Sequence, residues 1–435
     1  MIDTNPSLRI FSSVLDGKTY IEDITSIIEN YRHSTRLQGG YWQATFDIIN
    51  LEEKDLLKWF YEYLGNHFEC SIGSGVIFEG MIYDITMVLN GIARNTSLFD
   101  LINYSKVSYI DGDDTVQQSA WASNTESAGD YGRKEEWIGM DGFPQTTAER
   151  RRDQVLLDYQ WPQTVAIGQA PKDNVLQVTV CGYVWASNWR YTTTADDSDD
   201  TVDDWITDIL GTDLTEFLVL GKVQANTTPV KKKVDVPERC WDLINELTAI
   251  GDGTNPFRSY VEIGRSFVYE EISNTPEYYI KDGLIYGSIG SSVEVNHWQI
   301  QPAVMRDLEY PRARKESGSW FQDARDFLIN EVVMDLKSGI SFSADHIEES
   351  DLLKPSQEYT QQLADWDEQA RREAEALANQ KPERTGHWFL TMGWSKAEKL
   401  KWSKDEFIKK KRQWYKRRKT PKHLRKKKGT KGWRD

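Results

Sequence analysis

Cys70-Ser-Ile-Gly-Ser-Gly-Val-Ile-Phe-Glu79 and Val261-Glu-Ile-Gly-Arg-Ser-Phe-Val-Tyr-Glu270 are nearly one phrase written twice, with Gly73 and Gly264 191 positions apart. Each sets Ile-Gly ahead of a β-favouring run that ends in Glu, and each follows a Trp-bearing helical segment closed by Gly65 or Gly251. An internal repeat at this scale restricts the chain to tandem copies of one β unit, unless two unrelated hairpins share β preferences. Tandem β units suit a ring-shaped scaffold better than an enzyme.

Residues 7–105 read as mostly β. Gly40–Ile49 alternates, with Trp42, Ala44, Phe46 and Ile48 on one side and Gln43, Thr45 and Asp47 on the other. A helix is expected over 51–64, capped by Asn50 with Glu53 three residues on, striped by Leu56, Trp59, Phe60 and Tyr63, and stopped by a left-handed Gly65. The first repeated strand and Gly80–Leu89 then form a hairpin turning near Glu79-Gly80. Residues 106–170 read as a small α/β insertion. It has a short helix ending at Tyr131-Gly132, a strand at KEEWI, and a helix with a capping box at Thr146–Glu149, ended by Pro162. A second β block opens with a strand over Val175–Trp185. An acidic loop at 196–205 leads into a short helix. A helix over 238–250, with Trp241, Ile244 and Leu247 on one face, stops at Gly251 before the second copy. Strands and loops continue over 276–345. Beyond Pro355 a charged helix carries a narrow stripe of Tyr359, Leu363, Trp366, Ala370 and Leu377. Capping boxes at Ser395–Glu398 and Ser403–Glu406 predict helices near 396–402 and 404–418.

Charge divides the chain in two. Residues 401–435 carry 17 Lys and Arg against three Asp and Glu, so the other 400, with 36 basic and 65 acidic residues, hold a net charge of −29. An acidic body with a basic tail is two electrostatic objects on one chain. No stretch reaches the roughly 18–20 apolar residues of a membrane helix. The opening residues have no charged region followed by an apolar run, so no signal peptide is expected. Cys70, Cys181 and Cys240 are scattered; buried free thiols and a cytoplasmic site of synthesis fit them.

Chemistry is hard to find. The histidines, His33, His67, His297, His346, His387 and His423, lie far apart and suggest no metal site by spacing. There is no GxSxG, P-loop or strand-following GxGxxG, and Ile72-Gly-Ser-Gly75 reads as a bend into a strand. Asp111–Asp114 and Asp196–Asp204 read as solvated turns rather than the facing carboxyl pair of a glycosidase or a calcium loop. No catalytic residue, cofactor or metal ligand is assigned. The strongest electrostatic feature is the tail, where Lys409, Lys410, Lys411, Arg412, Lys416, Arg417, Arg418, Arg425, Lys426, Lys427 and Lys428 interleave with Trp414 and other rings. Three readings stay open for it: binding phosphates and stacking on bases, gripping an acidic protein surface, or lying solvated.

The runs ATFDI, LLKWFYEYLG, VIFEGMIYDI and SLFDLINYSKVSYID, the insertion SAGDYGRKEEWI with TTAERRRDQVLLDYQWP, and the later LQVTVCGYVW, CWDLINELTAIGD, FVYEE, YYIKDG and IQPAVMRDL resemble phage tail-tip and baseplate hub proteins over about residues 8–310. The resemblance implies a mainly β chain with α/β insertions, in which two tail-tube-like β-barrels stand in tandem ahead of a helical, basic extension. Residues 1–105 would form the first barrel and 106–170 the insertion. Residues 171–236 would begin the second barrel, 237–345 complete it, and 346–435 extend from it. It further implies a virion structural protein, not an enzyme: a homotrimer whose ring of six barrels continues the hexameric tube. Its partners would be tail-tube and distal tail proteins and a central fibre or tip protein, with a possible tape-measure or DNA contact through residues 400–435 and no membrane. Two other classes remain open, a tail-associated cell-wall hydrolase and a nucleic-acid-binding protein acting through the arm.

Overall fold

The computed structural model describes residues 6–49, 52–110, 115–140, 142–169, 175–192, 200–230, 238–273, 275–282, 284–288, 294–308, 311–316, 319–322, 325–346, 357–365, 368–369 and 371–372. Met1–Thr360 forms one compact unit and Gln361–Asp435 another. In the second, Glu368 pairs with Arg371 and Arg372 one helical turn on. The caps at Ser395 and Ser403, the helices near 396–402 and 404–418, the stripe residues Trp366, Ala370 and Leu377, and the cap Asn50 lie outside the described residues.

The chain is mainly β, as expected. First come β1 (Pro6–Phe11), β2 (Tyr20–Asp23), β3 (Ile28–Arg36), β4 (Gly39–Ile49), α1 (Glu53–Glu62), β5 (His67–Ile72), β6 (Gly75–Leu89) and β7 (Ile92–Ser97). The stripe Leu56, Trp59, Phe60 and Tyr63 of α1 is buried, and Gly65 takes the left-handed conformation that ends the helix. In β4, Ala44, Phe46 and Ile48 face the core. Trp42 does not share their burial: a bulge opposite Ser34–Thr35 shifts the alternation, so Tyr41 is buried while Trp42 meets the Arg36 guanidinium at 4.1 Å.

The insertion comprises β8 (Tyr104–Ile110), β9 (Val116–Gln118), β10 (Ala122–Ser123), α2 (Thr125–Tyr131), β11 (Glu135–Met140) and α3 (Gln145–Tyr159). Its strands form a separate four-stranded sheet, and Ala148 of α3 packs on Val107 and Tyr109 of β8. Helix α3 starts two residues earlier than the Thr146–Glu149 box implies: Pro144 is the N-cap and no side chain caps it. Lys134 ties the insertion to the body. Its Nζ donates to the carbonyls of Leu98 and Phe99, both at 2.6 Å, and lies 5.3 Å from the Trp189 ring. Burial, with Arg239 nearby, pulls this ammonium down from 10.5 to about 7. Between those values the unfolded chain keeps the proton and the folded chain has lost it, so stability rises with pH across that window. Relative to Lys134→Met, the wild type is expected to gain ~2–4 kcal/mol in urea unfolding as pH climbs from 7 towards 10.

Next stand β12 (Gln163–Gln169), β13 (Val175–Cys181), a 3₁₀ helix (Tyr183–Trp189), α4 (Val202–Thr212), β14 (Val219–Val223), α5 (Cys240–Ile250), β15 (Phe257–Glu262) and β16 (Ser266–Glu271). The strand read over Val175–Trp185 stops at Cys181, because Gly182 lies hard against Tyr41 and the chain then coils. Strand β13 joins the strands of residues 39–89. It pairs antiparallel with both β4 and β6. The last strands are β17 (Tyr278–Lys281), β18 (Leu284–Tyr286), β19 (Val304–Asp307), β20 (Pro311–Glu316), β21 (Ser319–Gln322), β22 (Arg325–Asp335) and β23 (Gly339–His346). A 17-stranded sheet runs through both halves of the chain, and among the described residues its pairings branch without closing a circuit. The principal core spans both repeated hairpins, from Leu8 and Phe46 to Phe267 and Tyr269.

Both copies of the repeated phrase are hairpin turns. In the first the chain reverses at Gly73-Ser74, with Ile72 opposite Gly75, and not at Glu79-Gly80. In the second it reverses through Ile263-Gly264-Arg265, with Glu262 opposite Ser266. Gly73 and Gly264 both have positive φ, the conformation that costs glycine least. Gly80 is needed for another reason: a Cβ there would lie 2.5 Å from the Cys181 carbonyl oxygen, where β13 crosses β6.

Candidate functional site

A hydrogen bond joins the two copies. Glu79, which ends the first phrase, accepts the backbone N–H of Arg265 from the second phrase's turn at 2.6 Å. Its counterpart Glu270 is held by Lys222 and Arg258, each at 2.7 Å, and by the Tyr260 hydroxyl at 3.0 Å. Burial works to raise both carboxyls. It wins at Glu79, whose only strong relief is that N–H, whereas at Glu270 the two cations hold the group below its usual range.

Around Glu79 a buried polar cluster gathers. His67 is fully buried, with Nδ1 2.6 Å from the Tyr183 hydroxyl and Nε2 3.1 Å from Glu69. Lys18 forms an ion pair with the same Glu69. Burial lowers the His67 pKa, while His67 and Lys18 together overcome burial to hold Glu69 down at about 2. Sequence spacing missed this trio because the hairpin turn had been placed at 79–80. With the turn at Gly73-Ser74, Glu69 and Glu79 stand directly opposite each other. The signal available was the symmetry of the two glutamates about Ser74.

The sheet presents a second feature, a polar face. Asp335 of β22 stands opposite Arg32 of β3, Arg32 opposite Thr45 of β4, and Thr45 opposite Thr179 of β13. Thr179 then opposes Asp84 of β6, Asp84 opposes Ser97 of β7, and Ser97 opposes Gln163 of β12. Directly opposed residues share a face, so one polar row crosses seven strands drawn from both halves of the chain. A second row, Glu29, Asp47, Gln177, Thr86 and Asn95, runs beside it. On this face Arg36 pairs with Glu331 at 3.1 Å, and Asn95 donates to both oxygens of Asp84. Carboxylates outnumber guanidiniums here. Backbone N–H groups of Ser338 and Lys337 keep the Asp335 carboxyl below its usual range. Among the described residues, β12 and β23 end the path that the first row follows, each paired with one strand, and β2, β14 and β18 end side branches in the same way. Val165 and Ile167 of β12 and Phe342 of β23 are exposed.

The tail residues Lys409, Lys410, Lys411, Arg412, Trp414, Lys416, Arg417, Arg418, Arg425, Lys426, Lys427 and Lys428 lie outside the described residues, as do Asp111–Asp114 and most of the acidic loop before Asp200. Asp204, the end of that loop, caps α4 with Thr201. The three cysteines are buried and free, and burial pushes the Cys70 thiol up to about 12.

No protein-family model matches the sequence, and no curated protein matches it. Among solved structures the chain is similar to a tail protein from Neisseria meningitidis MC58 at 8% identity and a TM-score of 0.38, covering 81% of this chain and 98% of that one. It is similar to the 43 kDa tail protein of prophage MuSo2 from Shewanella oneidensis at 9% identity and a TM-score of 0.37, covering 78% and 97%. A third is the E. coli c3393 protein, a type VI secretion component described as similar to the T4 tail proteins gp27 and gp5; it matches at 8% identity and a TM-score of 0.33, covering 74% of each chain. Each likeness is coarse in geometry and remote in sequence.

Proposed function

We propose that the chain is a structural protein of a phage virion. Three copies form a hub at the distal end of the tail that continues the six-fold tail tube and joins it to tip, baseplate or fibre proteins. One observation carries this reading: a wide sheet, built from both halves of the chain, with a polar row across seven strands and with β12 and β23 open at the two ends of the path that row follows. Open edges expose unpaired backbone groups and need a cover. A closed ring of copies covers every edge with its neighbour's and needs no additional protein. A wall that lets DNA slide should offer polar groups and an excess of carboxylate, as this face does. The cations of residues 401–435 then belong on acidic protein surface of a neighbouring copy rather than in the passage. Light scattering of the purified chain should report three times 50.3 kDa. With Ile167→Cys and Phe342→Cys placed in one chain, mild oxidation should give a ladder that ends at three copies, while the buried native thiols stay silent. A particle that remains at 50.3 kDa at every concentration and yields no ladder overturns the reading.

A further inference from the structure

Glu69 and Glu79 face each other across the β5–β6 ladder, and His67 lies two residues along on the same side of β5. Like charges in directly opposed positions repel, and burial strengthens the repulsion. Glu79 is 1% exposed. The Lys18 ammonium is taken by Glu69, and the Arg265 guanidinium, held on the Glu216 and Phe217 carbonyls, acts on Glu79 only at a distance, so among the described residues no cation pairs directly with Glu79. One ring nitrogen of His67 and one oxygen from each glutamate all lie within 4.8 Å of one another, and Nε2 is the nitrogen that faces Glu69. A nitrogen and two carboxylate oxygens form the mixed donor set of a borderline divalent ion.

We propose that His67, Glu69 and Glu79 bind one divalent cation of the zinc or manganese kind. Tyr183 positions the imidazole. With the proton on Nδ1 donated to the Tyr183 oxygen, Nε2 offers its lone pair to the metal. Lys18, on a long and partly exposed side chain, swings out as the cation takes its place. Because Glu79 also holds the Arg265 N–H, the ion ties the first repeated hairpin to the second within a single chain. This proposal does not rest on ring assembly.

The test is thermal unfolding of the full chain, stripped with a chelator and then titrated separately with zinc, manganese and calcium chlorides. Zinc or manganese should raise Tm by several degrees, as expected when a ligand binds only the folded state. Glu79→Gln and His67→Gln should abolish the rise. Lys18→Ala, at a partly exposed position where folding is retained, should give a larger rise at lower metal concentration because the competing ammonium is gone. An ion-pair network with no metal function gives no such gain. The proposal fails if neither the wild type nor Lys18→Ala responds to zinc or manganese. It also fails if the response survives intact in Glu79→Gln, or if calcium alone stabilises, since an all-oxygen site leaves His67 without a role.

Discussion

Replacing Glu135 with Ala is expected to cost the fold ~3–5 kcal/mol, the range for breaking a buried ion pair from one side. The carboxylate is 1% exposed. Its Oε1 accepts from Arg133 at 2.6 Å and Arg190 at 3.1 Å, and its Oε2 accepts the backbone N–H of Tyr191 at 2.7 Å. Removing it leaves two guanidiniums facing each other and a backbone donor without an acceptor. Glu216, 3.7 Å from Arg190 and more exposed, offsets little of this. Glu135→Gln should recover only a small part, because its amide turns a donor towards cations. Tm should fall by roughly 4–7 °C. Amide exchange should accelerate first in β8 and β11, since the Glu135 carboxylate fastens the insertion to Arg190 and Tyr191, just after the 3₁₀ helix. A loss below about 1 kcal/mol would show that the cluster is no better than an apolar substitute.

Gly182→Ala should be comparably severe. The added Cβ would lie 1.7 Å from the Tyr41 carbonyl oxygen, and neither backbone can rotate away as a side chain could. The clash falls where β13 leaves the sheet, so relief requires peeling β13 from β4. A cost above ~3 kcal/mol is expected, near the top of the overpacking range. Gly211→Ala is the internal control. It lies within α4 with nothing inside 4 Å of the new methyl, so it should stabilise by about 0.5–1 kcal/mol. Chemical denaturation of both variants decides the matter. Equal stabilities would mean that the contact at Tyr41 relaxes freely.

Much of the local structure was readable in advance. The glycines of the repeated phrase mark two real turns, because only a residue without a Cβ adopts positive φ cheaply. The stripes of α1 and α5 bury the residues that their periodicity singled out. Where reading failed, the cause lay outside the local window. Trp42 left its expected face because of a bulge created by pairing with β3. Glu79-Gly80 resembles a turn, yet Gly80 is there so that β13 can pass.

The amino-acid order alone settled the kind of elements, the duplicated hairpin and the division of charge, since φ preference, periodicity and ionisation act over a few residues at a time. Tertiary structure alone decided that β13 slots between β4 and β6, that β22 joins β3 across most of the chain, and that His67, Glu69 and Glu79 converge. Ladder hydrogen bonds are made by the backbone, which is the same at every residue. Strand partners are therefore chosen by which faces can be buried together, and that choice exists only once the whole chain has packed.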